Sequence, residues 1–424
     1  MLKKSKVLIT IALALLLCVT SAATAFATNL NEDGLLPGTE ENPIQAAITK
    51  NLRLPTGTNV PSAEFTFVVE PKTVDGVPYS SAPLNMPPLG TNNEITISFS
   101  QDDAIRKAPV DGLINTDSIR KETTDIFADV TFPHAGVFVY EITEMPNTNP
   151  MIDALTNINE WLSYSGAKYT LTAYVKYKAP PNDTETYVYA LATVVTTPEP
   201  GQPGGGKVDP TPGGDKERYL FSEMVFTNDY VKNNGPVDPE TGSTLIVSKQ
   251  VAGDFASKDQ IFDFTISLTI PSIVPNPPAY YKAYLRDTDG AVIIPYIEVS
   301  TTAGAETSFS LKHGQSLVFV DTPVGVGYVA TEAVAVNYIP SVSVITSGGM
   351  PNNIPGALNT ALPTGPQLVG ELANSAAFTN TRDSVTPTGL NLNNLPFILL
   401  IGLGLGTLTT YIAVKVRQRK HYGK

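Results

Sequence analysis

The chain has 424 residues with 40 acidic and 28 basic side chains, which gives a formal net charge of −12 at pH 7. An acidic protein is repelled by nucleic acids and by anionic membrane surfaces, so neither is expected as a partner. The sequence holds one cysteine and three histidines that are far apart, so we predict no hydrolase triad, no zinc site and no cofactor.

The first 27 residues have the order of a secretory signal peptide. Lysines at positions 3, 4 and 6 precede an apolar run over residues 7–19, and small residues follow, closing on Ala25-Phe26-Ala27. The run is shorter than the roughly 20 residues that a membrane span needs. We predict cleavage after Ala27, which removes Cys18 and leaves residues 28–42 as an N-terminal extension.

Most of the remaining chain has the alternation of apolar and polar residues that is typical of β-strands. Turn residues separate these segments at short intervals, and 35 prolines disfavour long helices. Many short strands of this kind predict β-sandwiches. Short helical pieces are predicted only near residues 102–105 and 152–162.

Four landmarks occur twice in the same order, which predicts two homologous domains. They are a strand with a lysine, a Phe-Thr strand, a strand ending in Thr-Glu and a closing Phe-Thr-Asn. In sequence they are Ile48-Thr49-Lys50, Glu64-Phe65-Thr66-Phe67, Thr143-Glu144 and Phe226-Thr227-Asn228, then Val247-Ser248-Lys249, Asp263-Phe264-Thr265-Ile266, Thr331-Glu332 and Phe378-Thr379-Asn380. We place domain 1 at residues 43–232, a linker at 233–243 and domain 2 at 244–382. The Gly/Pro-rich stretch 199–215 precedes the first Phe-Thr-Asn and is predicted to be a long loop inside domain 1.

The repeated Lys, Glu and Asn are the residues with chemical potential. A single strand lysine or glutamate normally faces solvent. Here the three recur in order among apolar neighbours, and strand alternation puts Lys50 on the face of Ile48 and Lys249 on the face of Val247. Burial favours the neutral amine of lysine, which is a nucleophile, and the protonated form of glutamate. The expected product is a Lys–Asn isopeptide bond with loss of ammonia, formed once within one molecule and without enzymatic turnover.

With these motifs the chain resembles the major shaft pilins of Gram-positive bacteria. The resemblance is carried in domain 2 by residues 244–249, 323–332 and 378–380, and in domain 1 by the equivalent lysine, Thr-Glu and Phe-Thr-Asn motifs. It implies an all-β fold with two tandem immunoglobulin-like (CnaB-type) β-sandwiches. It also implies two crosslinks, Lys50–Asn228 with Glu144 as catalyst and Lys249–Asn380 with Glu332. Glu141 lies near the first site, but the Thr-Glu context of Glu144 repeats in domain 2.

The C-terminal segment, residues 383–424, resembles a sortase sorting signal. Residues 397–414 are apolar and uncharged, just long enough to cross a bilayer, and a basic tail follows. Before them stands Val385-Thr386-Pro387-Thr388-Gly389, which departs from the usual Leu-Pro-x-Thr-Gly at its first two positions. The resemblance implies sortase cleavage between Thr388 and Gly389 and transfer of the Thr388 acyl group to an amine.

The amine that accepts Thr388 decides between two functions. A lysine on another copy of the chain would give a covalent pilus, and Lys216 and Lys232 are the candidate acceptors by resemblance. A peptidoglycan amine would give a singly displayed, wall-anchored adhesin. Either product is extracellular, in the cell wall or pilus, after transient anchoring in the membrane.

Overall fold

The computed structural model describes residues 37–81, 85–152, 159–199, 206–212, 223–383 and 395–421. Within these residues the chain forms two β-sandwiches, one after the other, and a C-terminal helix, so the predicted all-β fold with an apolar C-terminal helix is confirmed. The predicted signal peptide, Lys216 and residues 385–389 lie outside the described residues.

The described residues of the first sandwich form twelve strands in two sheets. One sheet has the order β5-β6-β1-β12-β8, and the other has the order β11-β10-β9-β7-β2-β3, with β4 also pairing with β2. Two short 3-10 helices lie at Tyr79–Ser81 and Gln101–Arg106. The strands are β1 Thr49–Pro55, β2 Ala63–Val74, β3 Val77–Pro78, β4 Glu94–Phe99, β5 Ala108–Pro109, β6 Thr116–Glu122, β7 Gly136–Asn149, β8 Glu160–Ser163, β9 Lys168–Tyr177, β10 Thr186–Thr197, β11 Lys207–Val208 and β12 Val225–Lys232.

The second sandwich also contains twelve strands in two sheets. One sheet has the order β16-β15-β18-β13-β24-β20-β21, and the other has the order β17-β14-β19-β22, with β23 also pairing with β19. The strands are β13 Leu245–Ala252, β14 Phe262–Thr269, β15 Tyr280–Arg286, β16 Val292–Ser300, β17 Glu306–Leu311, β18 Ser316–Phe319, β19 Gly327–Glu332, β20 Ile339–Ile345, β21 Asn352–Pro355, β22 Leu362–Pro363, β23 Gln367–Leu368 and β24 Ser375–Thr381.

The first and last strands of each sandwich are neighbours and run parallel. On β1 and β12, Lys50 stands opposite Phe226 and Leu52 opposite Asn228. The second sandwich repeats this register on β13 and β24, with Lys249 opposite Phe378 and Val251 opposite Asn380. Because residues two apart on a strand share a face, each lysine and its asparagine lie on the same face of adjacent strands.

That face is the buried one in both sandwiches. Lys50 and Leu52 are fully buried on β1, as is Ile48 just before it, and Val247 and Lys249 are fully buried on β13. The predicted alternation is therefore confirmed, and each lysine is buried in the interior of its sandwich.

Two of the sequence predictions for local structure have different outcomes. The short helix predicted near residues 102–105 is present as the 3-10 helix Gln101–Arg106. The helical piece predicted near residues 152–162 is wrong over its described C-terminal part, where Glu160–Ser163 is the edge strand β8. It pairs antiparallel with the end of β12, on the side of β12 opposite to β1.

The C-terminal helix, α1, runs over Leu395–His421 and continues past the predicted apolar stretch into the basic residues. Its segment Pro396–Gln418 is long and apolar enough to cross a membrane, and none of it is buried against the rest of the chain.

Candidate crosslinking sites

The first site lies between the two sheets of the first sandwich. Strands β1 and β12 supply Lys50 and Asn228 from one sheet, and β7 supplies Glu144 from the facing sheet. Lys50 Nζ donates to Glu144 Oε1 at 2.6 Å, and Asn228 Nδ2 donates to the same oxygen at 2.8 Å. The lysine and the asparagine are fully buried and the glutamate is 7% exposed, so the three groups meet away from bulk water.

The second site has the same construction from β13, β24 and β19. Lys249 Nζ donates to Glu332 Oε1 at 2.8 Å, and Asn380 Nδ2 donates to that oxygen at 2.5 Å. All three side chains are buried. The structure thus brings together the Lys, Glu and Asn that the sequence singled out, in both domains.

Aromatic rings enclose each triad on equivalent sides. The ring of Phe65 lies 4.6 Å from Lys50 Nζ, and the ring of Phe262 lies 4.3 Å from Lys249 Nζ. Phe67 pairs with Glu144 across the sheet, as Phe264 pairs with Glu332. Phe65 is therefore equivalent to Phe262 and Phe67 to Phe264. The alignment of residues 64–67 with 263–266 suggested by the sequence repeat is wrong by two residues.

Burial sets the protonation chemistry of the triads. Loss of hydration lowers the pKa of Lys50 to about 8, although the charge of Glu144 opposes this shift. The pKa of Lys249 is lowered to about 8 in the same way. Burial also raises the pKa of both glutamates, against the influence of the adjacent lysines. These opposite shifts favour proton transfer from the ammonium to the carboxylate, which yields a neutral amine beside a neutral acid.

A neutral amine next to a carboxamide and an acid has what is needed for amide exchange. The amine is the nucleophile, and the glutamate touches both the nitrogen that must lose a proton and the amide nitrogen that must gain one. The same contacts exist around Glu332.

The two sites differ in one contact that the sequence did not predict. In the first, the Ser165 main-chain N–H donates to Glu144 Oε2 at 3.0 Å and to Asn228 Oδ1 at 2.8 Å. In the second, Glu332 Oε2 and Asn380 Oδ1 are buried and have no hydrogen-bond partner among the described residues. A main-chain donor can be supplied by any residue except proline, so no residue type in the sequence signals it.

The alternative catalyst Glu141 lies outside the site. It pairs with Lys72 at 3.0 Å, and its side chain is 25% exposed. It lies three positions before Glu144, an odd number of steps, so strand alternation turns the two carboxylates to opposite faces of β7.

The two candidate acceptor lysines cannot be compared directly, because Lys216 lies outside the described residues. Lys232 lies where the two sandwiches meet, and its Nζ donates to Glu371 Oε2 of the second sandwich at 2.7 Å. Its side chain is 31% exposed. Among the described residues, no three His, Cys, Asp or Glu side chains are grouped as a metal site would require.

Two family models match the chain, one for each sandwich. Residues 46–231 match the Spy0128-like isopeptide containing domain. Residues 243–382 match a domain of unknown function, DUF7601.

Similar proteins include a pilin from Streptococcus pyogenes serotype M1. It is 25% identical over 411 residues, which cover 94% of this chain and 98% of the relative. The pilus tip adhesin Cpa of Streptococcus pyogenes is 28% identical over 178 residues, which cover 41% of this chain and 22% of the adhesin.

Among solved structures, the major pilin from Streptococcus pyogenes is 21% identical, with a TM-score of 0.31 and coverage of 81% of this chain and 100% of that one. The T3.2 major pilin from the same species is 21% identical, with a TM-score of 0.29 and coverage of 80% and 98%. Residues 46–231 are thus similar to the Spy0128-like isopeptide containing domain, and the chain is similar to a pilin along nearly its whole length.

Proposed function

We propose that each triad forms an intramolecular isopeptide bond. Lys50 Nζ, as the neutral amine, attacks Asn228 Cγ, and the Asn228 Cγ–Nδ2 bond breaks. Glu144 carries the proton that the amine loses to Nδ2, which departs as ammonia, so the net change is one amide formed and one ammonia released. Lys249, Glu332 and Asn380 react in the same way. The shared carboxylate oxygen, 2.6 Å from Lys50 Nζ and 2.8 Å from Asn228 Nδ2, supports this assignment.

We propose that the protein is a structural subunit of a covalently polymerised pilus. The observation that carries this function is the position of the triads, since each would link the first strand of a sandwich to its last. The chain has no second cysteine with which to form a disulfide. One bond that joins the first strand of each domain to its last strand is what a load-bearing shaft needs. The pilin relative also aligns along nearly the whole chain.

Assembly is proposed to use the C-terminal motif. A sortase cleaves after Thr388 while α1 holds the chain in the membrane, and a lysine of another copy accepts the Thr388 acyl group. We favour Lys216 as that lysine over Lys232. The Lys232 amine is held by the Glu371 carboxylate, whose side chain is only 8% exposed, between the two sandwiches. A sortase needs an amine that can be reached and deprotonated.

An immunoblot of cell-wall extracts tests this function. The chain is expressed with its sortase in a Gram-positive host, and we expect a ladder of high-mass species. Lys216→Arg is expected to collapse the ladder to a single species, whereas Lys232→Arg is expected to leave it intact. A single species from the unmodified chain would instead indicate the wall-anchored adhesin, and a ladder that survives Lys216→Arg and is lost with Lys232→Arg would reverse the choice of lysine.

A further inference from the structure

The Ser165 main-chain N–H stands over the amide oxygen of the first triad. It lies 2.8 Å from Asn228 Oδ1 and 3.0 Å from Glu144 Oε2, and Ser165 itself is buried. The amide nitrogen of Asn228 meanwhile points to Glu144 Oε1. The carboxamide is therefore held at both ends, with a hydrogen-bond donor on the oxygen and the acid on the nitrogen.

The connection from β8 to β9 creates this donor. Strand β8 ends at Ser163, where it faces Asp229 of β12, and the chain then crosses to β9 in the opposite sheet. In the second sandwich, β20 occupies the same side of β24, with Ile339 facing Thr381. There the strand continues to Ile345 without crossing. Ser165 lies two residues after Ser163, and Ser341 lies two residues after Ile339, so Ser341 is the counterpart of Ser165. Ser341 remains paired with Thr379 of β24.

The crossing segment is tied down beside Asn228. Ser165 Oγ accepts from the Ala167 N–H at 3.1 Å and donates to Glu199 Oε1. Glu199 Oε1 also accepts from the N–H of Thr227, the residue before Asn228, at 2.9 Å. The N–H of Ser165 and the amide that it contacts are thus fixed to each other through one carboxylate.

The reaction develops charge on the oxygen that this N–H contacts. When Lys50 Nζ adds to Asn228 Cγ, the carbonyl electron pair moves to Oδ1, and the charge is released when ammonia leaves. A donor already placed at hydrogen-bond distance stabilises that charge without reorganisation. We propose that the Ser165 N–H is the oxyanion donor of the first crosslinking reaction, and that the Lys50–Asn228 bond therefore forms faster than the Lys249–Asn380 bond.

The inference rests on the proposed crosslinking. The expected difference in rate between the two bonds can be estimated from enzymes that use an oxyanion donor. Loss of one oxyanion donor costs an enzyme about 100- to 1,000-fold in rate. Here the N–H is shared with the carboxylate, so we expect a difference of about tenfold or more. The second site, whose Asn380 Oδ1 has no hydrogen-bond partner among the described residues, is the reference within the same chain.

The test removes only the N–H. Full-length chain is made by cell-free synthesis in detergent with the α-hydroxy acid analogue of serine at position 165, which replaces the amide N–H by an ester oxygen and keeps the side chain. Translation is stopped, and linked and unlinked peptides of both domains are quantified by mass spectrometry over time. The matched control is the same replacement at Ser341.

In the unmodified chain, the first bond is expected to form about tenfold faster or more than the second. The ester at 165 should slow the first bond about tenfold or more and leave the second unchanged, and the ester at 341 should leave the first unchanged. Equal rates for the two bonds in the unmodified chain would overturn the proposal, and so would an ester at 165 with no effect. If the ester prevents folding, the ratio of the two bond-formation rates in the unmodified chain decides whether the proposal holds. Absence of both bonds would overturn the crosslinking itself.

Discussion

At the scale of the residue, the chemistry depends on desolvation. Lys50 and Lys249 lose hydration in the core, and the adjacent glutamates compensate only in part, so the pKa of each lysine is lowered to about 8. The pKa of each glutamate is raised by the same burial. An ordinary pair of lysine and glutamate at a protein surface would stay ionised and unreactive at neutral pH.

The pH dependence of crosslinking follows from these shifts. The reactive pair, a neutral amine and a neutral acid, holds one titratable proton, which is on the glutamate. Above a pH of about 8 this proton is lost and no acid remains for the leaving group. Below the raised pKa of the glutamate a second proton binds and the amine becomes an ammonium. We expect the rate to be highest near neutral pH and to fall about tenfold per pH unit on the alkaline side.

This profile is measured by diluting unlinked, denatured chain into buffers across the pH range and following the loss of ammonia by mass spectrometry. A rate that kept rising well above pH 8 would show that only the amine matters and that the glutamate gives no proton. The fraction folded, followed by tryptophan fluorescence at each pH, separates this effect from loss of the fold.

Sequence reasoning found the side chains of the site and missed its main-chain donor. Lys50, Glu144 and Asn228 could be predicted because the same residue types recur in domain 2. The Ser165 N–H is positioned by the path of the chain between the two sheets, and no particular residue type is required for that path. Nor does the context of Glu199 predict that its carboxylate would join Ser165 to Thr227.

At the scale of the element, the parallel pairing of first and last strands decides the mechanical outcome. A bond between Lys50 and Asn228 closes 178 residue steps, and one between Lys249 and Asn380 closes 131. If such a bond restricts the unfolded chain as a disulfide does, each contributes about 5 kcal/mol of stability. Tension applied at the two ends enters β1, passes through the bond and leaves by β12, so the strands between them carry little load.

Force spectroscopy on the full chain tests this load path. The wild type is expected to show no extension from the unfolding of either sandwich, because the crosslinks hold residues 50–228 and 249–380 closed. The substitution Glu144→Gln removes the carboxylic acid while the side chain keeps nearly the same size, so the first crosslink should not form. Unfolding of the first sandwich should then release about 600 Å, since an extended residue spans about 3.5 Å.

The matched control is Glu141→Gln, which removes a carboxylate from the other face of the same strand. It is expected to behave as the wild type. A release of about 600 Å from the wild type would contradict the load path.

The strands themselves were largely predictable, and two errors have clear causes. Strand β8 was missed because its short edge pairing with β12 is a tertiary contact that local sequence does not encode. The two-residue error in the repeat arose from Phe65-Thr66-Phe67 and Phe262-Asp263-Phe264. Phenylalanine occupies successive inward positions there, and a period of two cannot distinguish one inward position from the next.

At the scale of the whole molecule, the two sandwiches are joined by specific contacts. Lys232 and the Asn59 side chain both donate to Glu371 Oε2, at 2.7 and 2.9 Å. Gly325 has a φ of +82°, and a Cβ built there would stand 2.4 Å from Pro55 Cβ of the first sandwich. The glycine in the Pro323-Val324-Gly325 motif therefore permits close approach of the two domains. Force leaving β12 would pass directly into this junction.

The intact mass of the purified chain, produced without the predicted signal peptide and compared with the mass calculated for that same sequence, tests the central claim most directly. We predict a mass below the sequence mass by two molecules of ammonia, one for each crosslink. Glu144→Gln or Glu332→Gln should each recover one ammonia, relative to the sequence mass of that variant, and the double variant should recover both. A folded wild-type chain with its full sequence mass would contradict the account.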